Sequence, residues 1–547
     1  MGRVRRRLLA VLSSLFLVAA FGSAGTATAV GPVSVRTLCD DNATLCTERA
    51  DALNYEGRYT GHDEPSLLFY SNRGGSGNSN LYQLTLPKDP PTLPKQDGTG
   101  GTFNFQLHPA FWFGMAMCDS QSYPEYTDSC RPNSDANIFD NGDPTAPDYI
   151  GHHPGAAFME MQIYAPGYVP WPAGDSCDAT QWCAALNIDS LSESLTQVNN
   201  DACASVAGVE YVNFAFITKS GTAHASANPT TVFQPPYTAI TPNPGTDLFM
   251  SSGDRLTVDM HDTRAGFQVV INDRTTGQTG SMTASRRNGF AQVKFDPASS
   301  SCQTIPYAFH PMYASSTEHT RVPWAAHTYN VSFADEIGHF EYCGGADPNT
   351  GACASPGATD PGGLDADDGF CFDPADSSRI QIAGCLDTDI DFDGPEYSNH
   401  WPGTLPNARQ DRSLNPQPIV FTSPLFTPDR GRNSLQNYDR VGFEADLPRI
   451  EAPDSGGICD RTTGANCVNP PPGATFYPIF STTGDRGECR WQLGGTYIPG
   501  TRNTFGGSST AEYGPLLLTT YASANAAGSV NRFNNFRRIL SSNPCPA

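Results

Sequence analysis

Glu160, Gln162 and Tyr164 stand at alternate positions in the segment HHPGAAFMEMQIYAPGYVPW (152–171), with Phe158 on the same parity. A β-strand sends successive side chains to opposite faces, so a carboxylate, an amide and a phenol would line one face. Ala157, Met159, Met161 and Ile163 would line the other. A carboxylate backed by that apolar stripe would be partly desolvated, which raises its pKa towards a general-acid role. Gln162 would offer both a donor and an acceptor to the same ligand. The row is either a solvated sheet face, as antiparallel sheets commonly have, or the floor of a binding cleft. His152, His153, Tyr168 and Trp171 flank it, and aromatic residues suit sugar rings.

A second concentration of chemistry is EHTRVPWAAHTYNVSFADEIGHFEYC (318–343). It holds His319, His327 and His339 beside Glu318, Glu336 and Glu341. Three histidines and a carboxylate can bind zinc, although no His-Glu-x-x-His motif is present. Glu336 or Glu341 could instead supply an acid to partner Glu160. Carboxyls about 5–5.5 Å apart imply a retaining glycosidase, and a wider pair an inverting one. A neutral His with Tyr could abstract the C5 proton of a uronic acid, which is lyase chemistry. Histidines in hydrogen bonds at loop ends would look the same.

LDTDIDFDGPEY places Asp387, Asp389, Asp391 and Asp393 at alternate positions before Gly394. Hard oxygens followed by a turn resemble the start of a structural calcium loop. The closing Glu of an EF-hand is absent, because the twelfth position from Asp389 is His400. A plain acidic loop is the other reading. No Gly-x-Ser-x-Gly elbow occurs, and the Gly/Ser-rich NTFGGSST (503–510) lacks a Walker lysine.

Short alternating segments would have to position these groups: YVNFAFITKSG (211–221), RLTVDMHD (255–262), GFQVVIND (266–273), GFAQVKFD (289–296) and HTYNVSFAD (327–335). Residues 252–285 read as a three-stranded meander with turns at Thr263–Gly266 and Thr275–Gly277. The 52 glycines and 45 prolines break up long helices, and the one amphipathic helical run is 189–199. Residues 346–400 carry eleven aspartates and one glutamate against one arginine, with too few apolar residues for a core. They read as a loop-rich insertion. Strand patterns return in PIVFTS, TFYPIFST, RWQLGGTYI and LLLTTYA, within 401–547.

Arg3, Arg5, Arg6 and Arg7 precede an apolar run, and Ala27-Thr28-Ala29 offers a small-x-small cleavage site. That is a secretory signal over 1–29, with twin-arginine export a weaker version of it. Losing four arginines and no acids would move the formal charge from -23 to -27. Such a surface repels nucleic acid and anionic lipid. All 16 cysteines follow the signal, and their even number in an exported chain argues for disulfides. Close neighbours pair as Cys39/Cys46, Cys118/Cys130, Cys177/Cys183, Cys371/Cys385 and Cys459/Cys467. Cys343/Cys353, Cys203/Cys302 and Cys489/Cys545 would complete the set.

GDRLTVDMHDTRAGFQVVINDRTTGQ (253–278) resembles a run found in secreted glutamic peptidases of the eqolisin type, within the concanavalin-A-like β-sandwich superfamily. MEMQIYAPGY (159–168) loosely echoes an aromatic-rich strand preceding that run. The resemblance implies a concanavalin-like sandwich and, for the peptidases, a catalytic Gln–Glu pair. Their Glu follows the Thr-Thr-Gly turn, whereas GFAQVKFDPASSSC (289–302) contains no Glu. The same superfamily includes glucanases, polysaccharide lyases and lectins. Its retaining glucanases carry acids at alternate positions of one strand, a layout that Glu160-x-Gln162-x-Tyr164 shares with a single acid.

The expectation is therefore an all-β protein: an antiparallel, concanavalin-like β-sandwich over 30–345, an acidic loop region at 346–400 and a disulfide-stapled β lobe at 401–547. The expected function is that of a secreted enzyme acting on extracellular polysaccharide or cell-surface glycan, as hydrolase or lyase. Glu160 would be the acid/base, Gln162 and Tyr164 would position substrate, and His327, Glu336 or His339 would supply the partner group. Calcium at Asp387, Asp389, Asp391 and Asp393 would be structural. A non-catalytic glycan-binding protein and an acid-active glutamic-type peptidase are the alternatives.

Overall fold

The computed structural model describes residues 66–88, 111–121, 157–164, 177, 180–192, 200–208, 210–312, 315–316, 331–335, 339–340, 393–394, 417, 419–428, 434–446, 480–485, 488–493, 519–522, 530–533 and 535–547. Period-2 patterning yields strands throughout. They begin with β1 (Ser66–Tyr70), β2 (Ser79–Thr85), β3 (Phe111–Met117), β4 (Ala157–Tyr164), β5 (Gln181–Leu191) and β6 (Glu210–Phe216). The two-residue β7 (Met250–Ser251) precedes β8 (Arg255–Thr263), β9 (Gly266–Asp273) and β10 (Thr279–Thr283), which form the meander expected at 252–285. Gly266 closes its first hairpin at φ +131°, where an added Cβ would lie 2.2 Å from the Ala284 carbonyl oxygen. Glycine alone fits there.

Among the described residues the strands assemble into two nine-stranded antiparallel sheets, a β-sandwich. One runs Asn535–Leu540, Arg440–Asp446, β1, Ser332–Asp335, β3, β4, β5 and β6, with β7 paired to β5. The other runs β10, β9, β8, β2, Val420–Phe421, Glu488–Leu493 and Phe480–Asp485, with Leu425–Phe426 against β2. Strands from the 401–547 stretch thus enter both sheets beside strands of the 30–345 stretch.

The facing sides interdigitate as one apolar core. Phe113, Met159, Met161, Ile163, Leu186 and Ile188 come from the first sheet, and Val258, Met260, Val269 and Ile271 from the second. Aromatic contacts cross the gap: Tyr82 meets Phe113 edge-on at 4.7 Å, and Phe333 stacks on Phe421 at 4.0 Å. The two sheets differ on their outer sides. Along β8 every second residue is partly or fully exposed, whereas β4 is buried on both faces except at Gln162.

Disulfides join Cys177 to Cys183, Cys203 to Cys302 and Cys489 to Cys545, and Cys118 is also bonded. All three pairings are among those expected, Cys177/Cys183 from its close spacing and the other two as completing the set, and such bonds persist in oxidising compartments. Of the helix expected at 189–199, residues 189–191 are corrected to strand, and 193–199 lie outside the described residues. β5 continues through Leu191, and its alternation of Ala185, Asn187 and Asp189 with Ala184, Leu186 and Ile188 is strand periodicity. Among the described residues an α-helix forms at α1 (Asp201–Ala207), where the Asn200 side chain accepts from the Cys203 N–H. No helix among the described residues is long and apolar enough to cross a membrane.

Candidate functional site

β4 lies between β3 and β5, and its register fixes what surrounds the polar row. Glu160 faces Gly114 on one side and Asn187 on the other. Gln162 faces Trp112 and Ala185, and Phe158 faces Ala116 and Asp189. Directly opposed residues of an antiparallel pair share a face. Further along the same face Ser332 stands opposite Gly114, and Phe214 opposite Asn187.

The expected row is therefore assembled, and its members are joined by hydrogen bonds. Asn187 Nδ2 donates to Tyr164 Oη at 3.2 Å, the Tyr164 hydroxyl donates to Gln162 Oε1, and Gln162 Nε2 donates to Glu160 Oε2 at 2.5 Å. All donation runs one way and ends on the carboxylate, so each bond polarises the next. The Tyr164 ring also packs near Phe214, at 6.5 Å between centroids.

The row is not a solvated face. Glu160 is 9 % exposed, Asn187 4 % and Tyr164 2 %, and Trp112 and Phe158 are buried beside them. A carboxylate held in so little water interacts strongly with whatever approaches it. Gly114 beside it leaves no open space. An added Cβ there would lie 2.2 Å from Ser332 Oγ and 2.7 Å from the Trp112 ring, so both side chains close over the missing methyl. Asn187 Oδ1 and Ser332 Oγ, one on each side of Glu160 along this row, are buried without a hydrogen-bond partner among the described residues. Buried polar atoms are ordinarily bonded, so these two acceptors suit a ligand's hydroxyls.

Of the expected residues, Glu160, Gln162 and Tyr164 are brought together. His327 and Glu336 lie outside the described residues, as do Asp387, Asp389 and Asp391. His339 falls in a two-residue strand, His339–Phe340, paired in parallel with Asp393–Gly394 so that His339 registers with Asp393. That pair is separate from the two large sheets. No group of three or more His, Cys, Asp or Glu placed to hold a metal occurs among the described residues.

Sequence reasoning missed Asn187, Asp189, Gly114 and Ser332. Asn187 and Asp189 were legible as alternate polar positions in QWCAALNIDSL, and Gly114 as a glycine inside the apolar strand FWFGMAM, where glycine marks close approach.

Other polar clusters are structural by their geometry. Asp119, just beyond β3, accepts from Ser190 Oγ at 2.5 Å, from Gln292 Nε2 at 2.6 Å, from the Gln121 N–H at 2.8 Å and from the Tyr211 hydroxyl. Burial, reinforced by the Asp119 charge, holds the Tyr211 phenol well above its ordinary value. Four donors satisfy this carboxylate.

No protein-family model matches the chain, and no curated protein matches it significantly. Among solved structures it is similar to SCP-B, a member of the eqolisin family of peptidases in complex with the tripeptide Ala-Ile-His. That likeness has 9% identity and a TM-score of 0.19, covering 80% of this chain and 98% of that one. It is also similar to the enzymatically active domain of tailspike protein 2 from bacteriophage CBA120, at 12% identity and a TM-score of 0.16, over 53% of this chain and 22% of the other. Likenesses this low leave the chemistry of the site to this chain's own residues.

Proposed function

We infer that this chain is a secreted polysaccharide-acting enzyme whose working carboxylate is Glu160. One observation carries the reading: the hydrogen-bonded relay Asn187–Tyr164–Gln162–Glu160 on the central strands of a sheet face. A relay of this kind aims a carboxylate and holds its rotamer, which is what acid/base transfer to a bound substrate requires. Gln162 and Tyr164 position substrate in this reading. Trp112 and Phe158 supply apolar surface for a sugar ring. Structural calcium at Asp387, Asp389, Asp391 and Asp393 belongs to the same proposal.

The test is digestion and binding across a glycan panel by the wild-type protein and Glu160→Gln, with calcium present and then chelated. Products from wild type alone support the reading. Binding by both proteins without products identifies a lectin-like module instead. Silence from both, with a lower melting temperature for Glu160→Gln, identifies the row as an interior hydrogen-bond network. One contact favours a second reading, an acid-active peptidase: the 2.5 Å Gln162–Glu160 bond puts an amide donor beside a carboxylate, the two groups that water activation and oxyanion binding need. Casein cleavage near pH 3 by wild type but not by Glu160→Gln would select it.

A further inference from the structure

Resting on that reading of Glu160, we propose that Asp189 is the second carboxylate of the site and that hydrolysis there inverts the anomeric carbon. The β4–β5 register sets Asn187 opposite Glu160 and Asp189 opposite Phe158, so Asp189 is the diagonal neighbour of Glu160 on the same face. Diagonal neighbours in an antiparallel pair lie about 7–8 Å apart at their Cα atoms, their Cβ atoms somewhat closer. Glu160 leans the other way along its strand, to Gln162, which widens the gap between the two carboxyls. Retaining glycosidases need about 5–5.5 Å and inverting ones about 6.5–9.5 Å, to leave room for a water. That backbone spacing, with Glu160 leaning away from Asp189, suits the wider arrangement.

Asn187 gives an independent sign of a ligand between them. Its Nδ2 is committed to Tyr164, while its Oδ1, in a side chain only 4 % exposed, has no hydrogen-bond partner among the described residues. This acceptor lies opposite Glu160 and two positions from Asp189, where an attacking water or a sugar hydroxyl would donate to it.

The roles follow from the surroundings. Glu160 Oε2 already accepts the Gln162 amide, which suits it to remain an acceptor, and it is the base. Asp189, opposite Phe158 and Val212 on the neighbouring strands, is 6 % exposed, and burial favours the protonated carboxyl, so it takes the part of the acid. Asp189 gives its proton to the glycosidic oxygen as the bond from that oxygen to C1 breaks. Glu160 takes a proton from water as the water oxygen bonds to C1 from the opposite side. The new hydroxyl stays on C1, the leaving sugar carries the Asp189 proton, and the proton on Glu160 returns to Asp189 through solvent.

The test uses the full secreted protein, the polysaccharide found in the panel, and an aryl glycoside of the same sugar whose leaving group needs no proton. Proton NMR of the first product is expected to show the inverted anomer. Asp189→Asn is expected to slow polysaccharide cleavage by about 10²–10⁴-fold while largely sparing the aryl glycoside. Glu160→Gln is expected to lose both. Retained configuration, or equal slowing of both substrates by Asp189→Asn, overturns the role of Asp189 and leaves that of Glu160 standing. Absence of any product from wild type overturns both. If Asp189→Asn does not fold, the anomer formed by wild type decides alone: inversion supports the proposal and retention overturns it.

Discussion

Asn187 stands directly opposite Glu160 in the β4–β5 register, yet its amide passes that neighbour and donates to the Tyr164 hydroxyl at 3.2 Å. Glu160 receives its donor instead from Gln162, two positions along its own strand. The carboxylate is therefore held along the strand, and the cross-strand residue is tied in only through a phenol and an amide.

Tyr164→Phe cuts this relay in the middle. It leaves Gln162 Oε1 and Asn187 Nδ2 without the hydroxyl that joined them. A buried polar group stripped of its partner costs about 1–3 kcal/mol, so the variant should unfold at correspondingly lower denaturant with an unchanged slope. A loss below about 0.5 kcal/mol would mean that the relay contributes little to holding the row.

Gly114→Ala forces a methyl to within 2.2 Å of Ser332 Oγ. Overpacking of this kind costs about 1–3 kcal/mol. Removing the hydroxyl with Ser332→Ala should give back part of that loss in the Gly114→Ala background while changing the wild type little. The double-mutant cycle reads the coupling directly. Strict additivity would show that the Trp112 ring, 2.7 Å from the same methyl, decides the clash.

Asp254 supplies a pH dependence whose sign is fixed. Burial, with the Asp273 charge and the hydrogen bond that a protonated Asp254 donates to that carboxylate, raises its pKa above the ordinary value of 3.8, against the Ser251 N–H that lowers it. The folded state then keeps a proton that the unfolded chain has released. The stability this contributes is full below 3.8 and is lost as pH rises through the folded value. His224 adds a second loss in the same direction at higher pH. Burial lowers its pKa, but the hydrogen bond and charge of Asp247 and the Thr238 carbonyl more than reverse this, and it ends above 6.5. Between about pH 4 and 6 the histidine stays largely protonated in both states, so the comparison there isolates the aspartate. Asp254→Asn, a mimic of the protonated form, should flatten the stability profile in that window. Parallel profiles for variant and wild type would rule out a shared proton at this site.

The parity of β4 was legible because a strand's period of two needs only eight residues to declare itself, and Met159, Met161 and Ile163 against Glu160 and Gln162 declared it. The 252–285 meander was legible for the same reason, with Gly266 and Gly277 marking its turns. Burial of the polar row was not. Which face of a strand meets water depends on what packs over it, and nothing within β4 encodes that. Asp189 falls at the start of the 189–199 run that reads as helical, whereas β5 carries strand pairing through Leu191. Long-range pairing was equally hidden: β1 takes Arg440–Asp446 as a neighbour, in a register that sets Leu67 opposite Phe443 across most of the chain. Such pairs leave no local periodicity to read.

The three described disulfides should contribute unequally, because they close loops of different length. Cys203–Cys302 spans 99 residues and Cys177–Cys183 spans 6. Cross-linking restricts the unfolded chain more as the loop grows, by about 5 kcal/mol near 100 residues and about 2 kcal/mol near 6. The longer bond also anchors α1, through Cys203, to the segment after Ala291–Val293, and Cys203 packs with Ala207, Tyr211 and Val293 in a small cluster of its own. Replacing Cys203 and Cys302 together by serine should therefore lower the melting temperature well beyond the effect of replacing Cys177 and Cys183. Equal losses from the two pairs would show that native packing around each bridge, rather than chain entropy, sets its contribution.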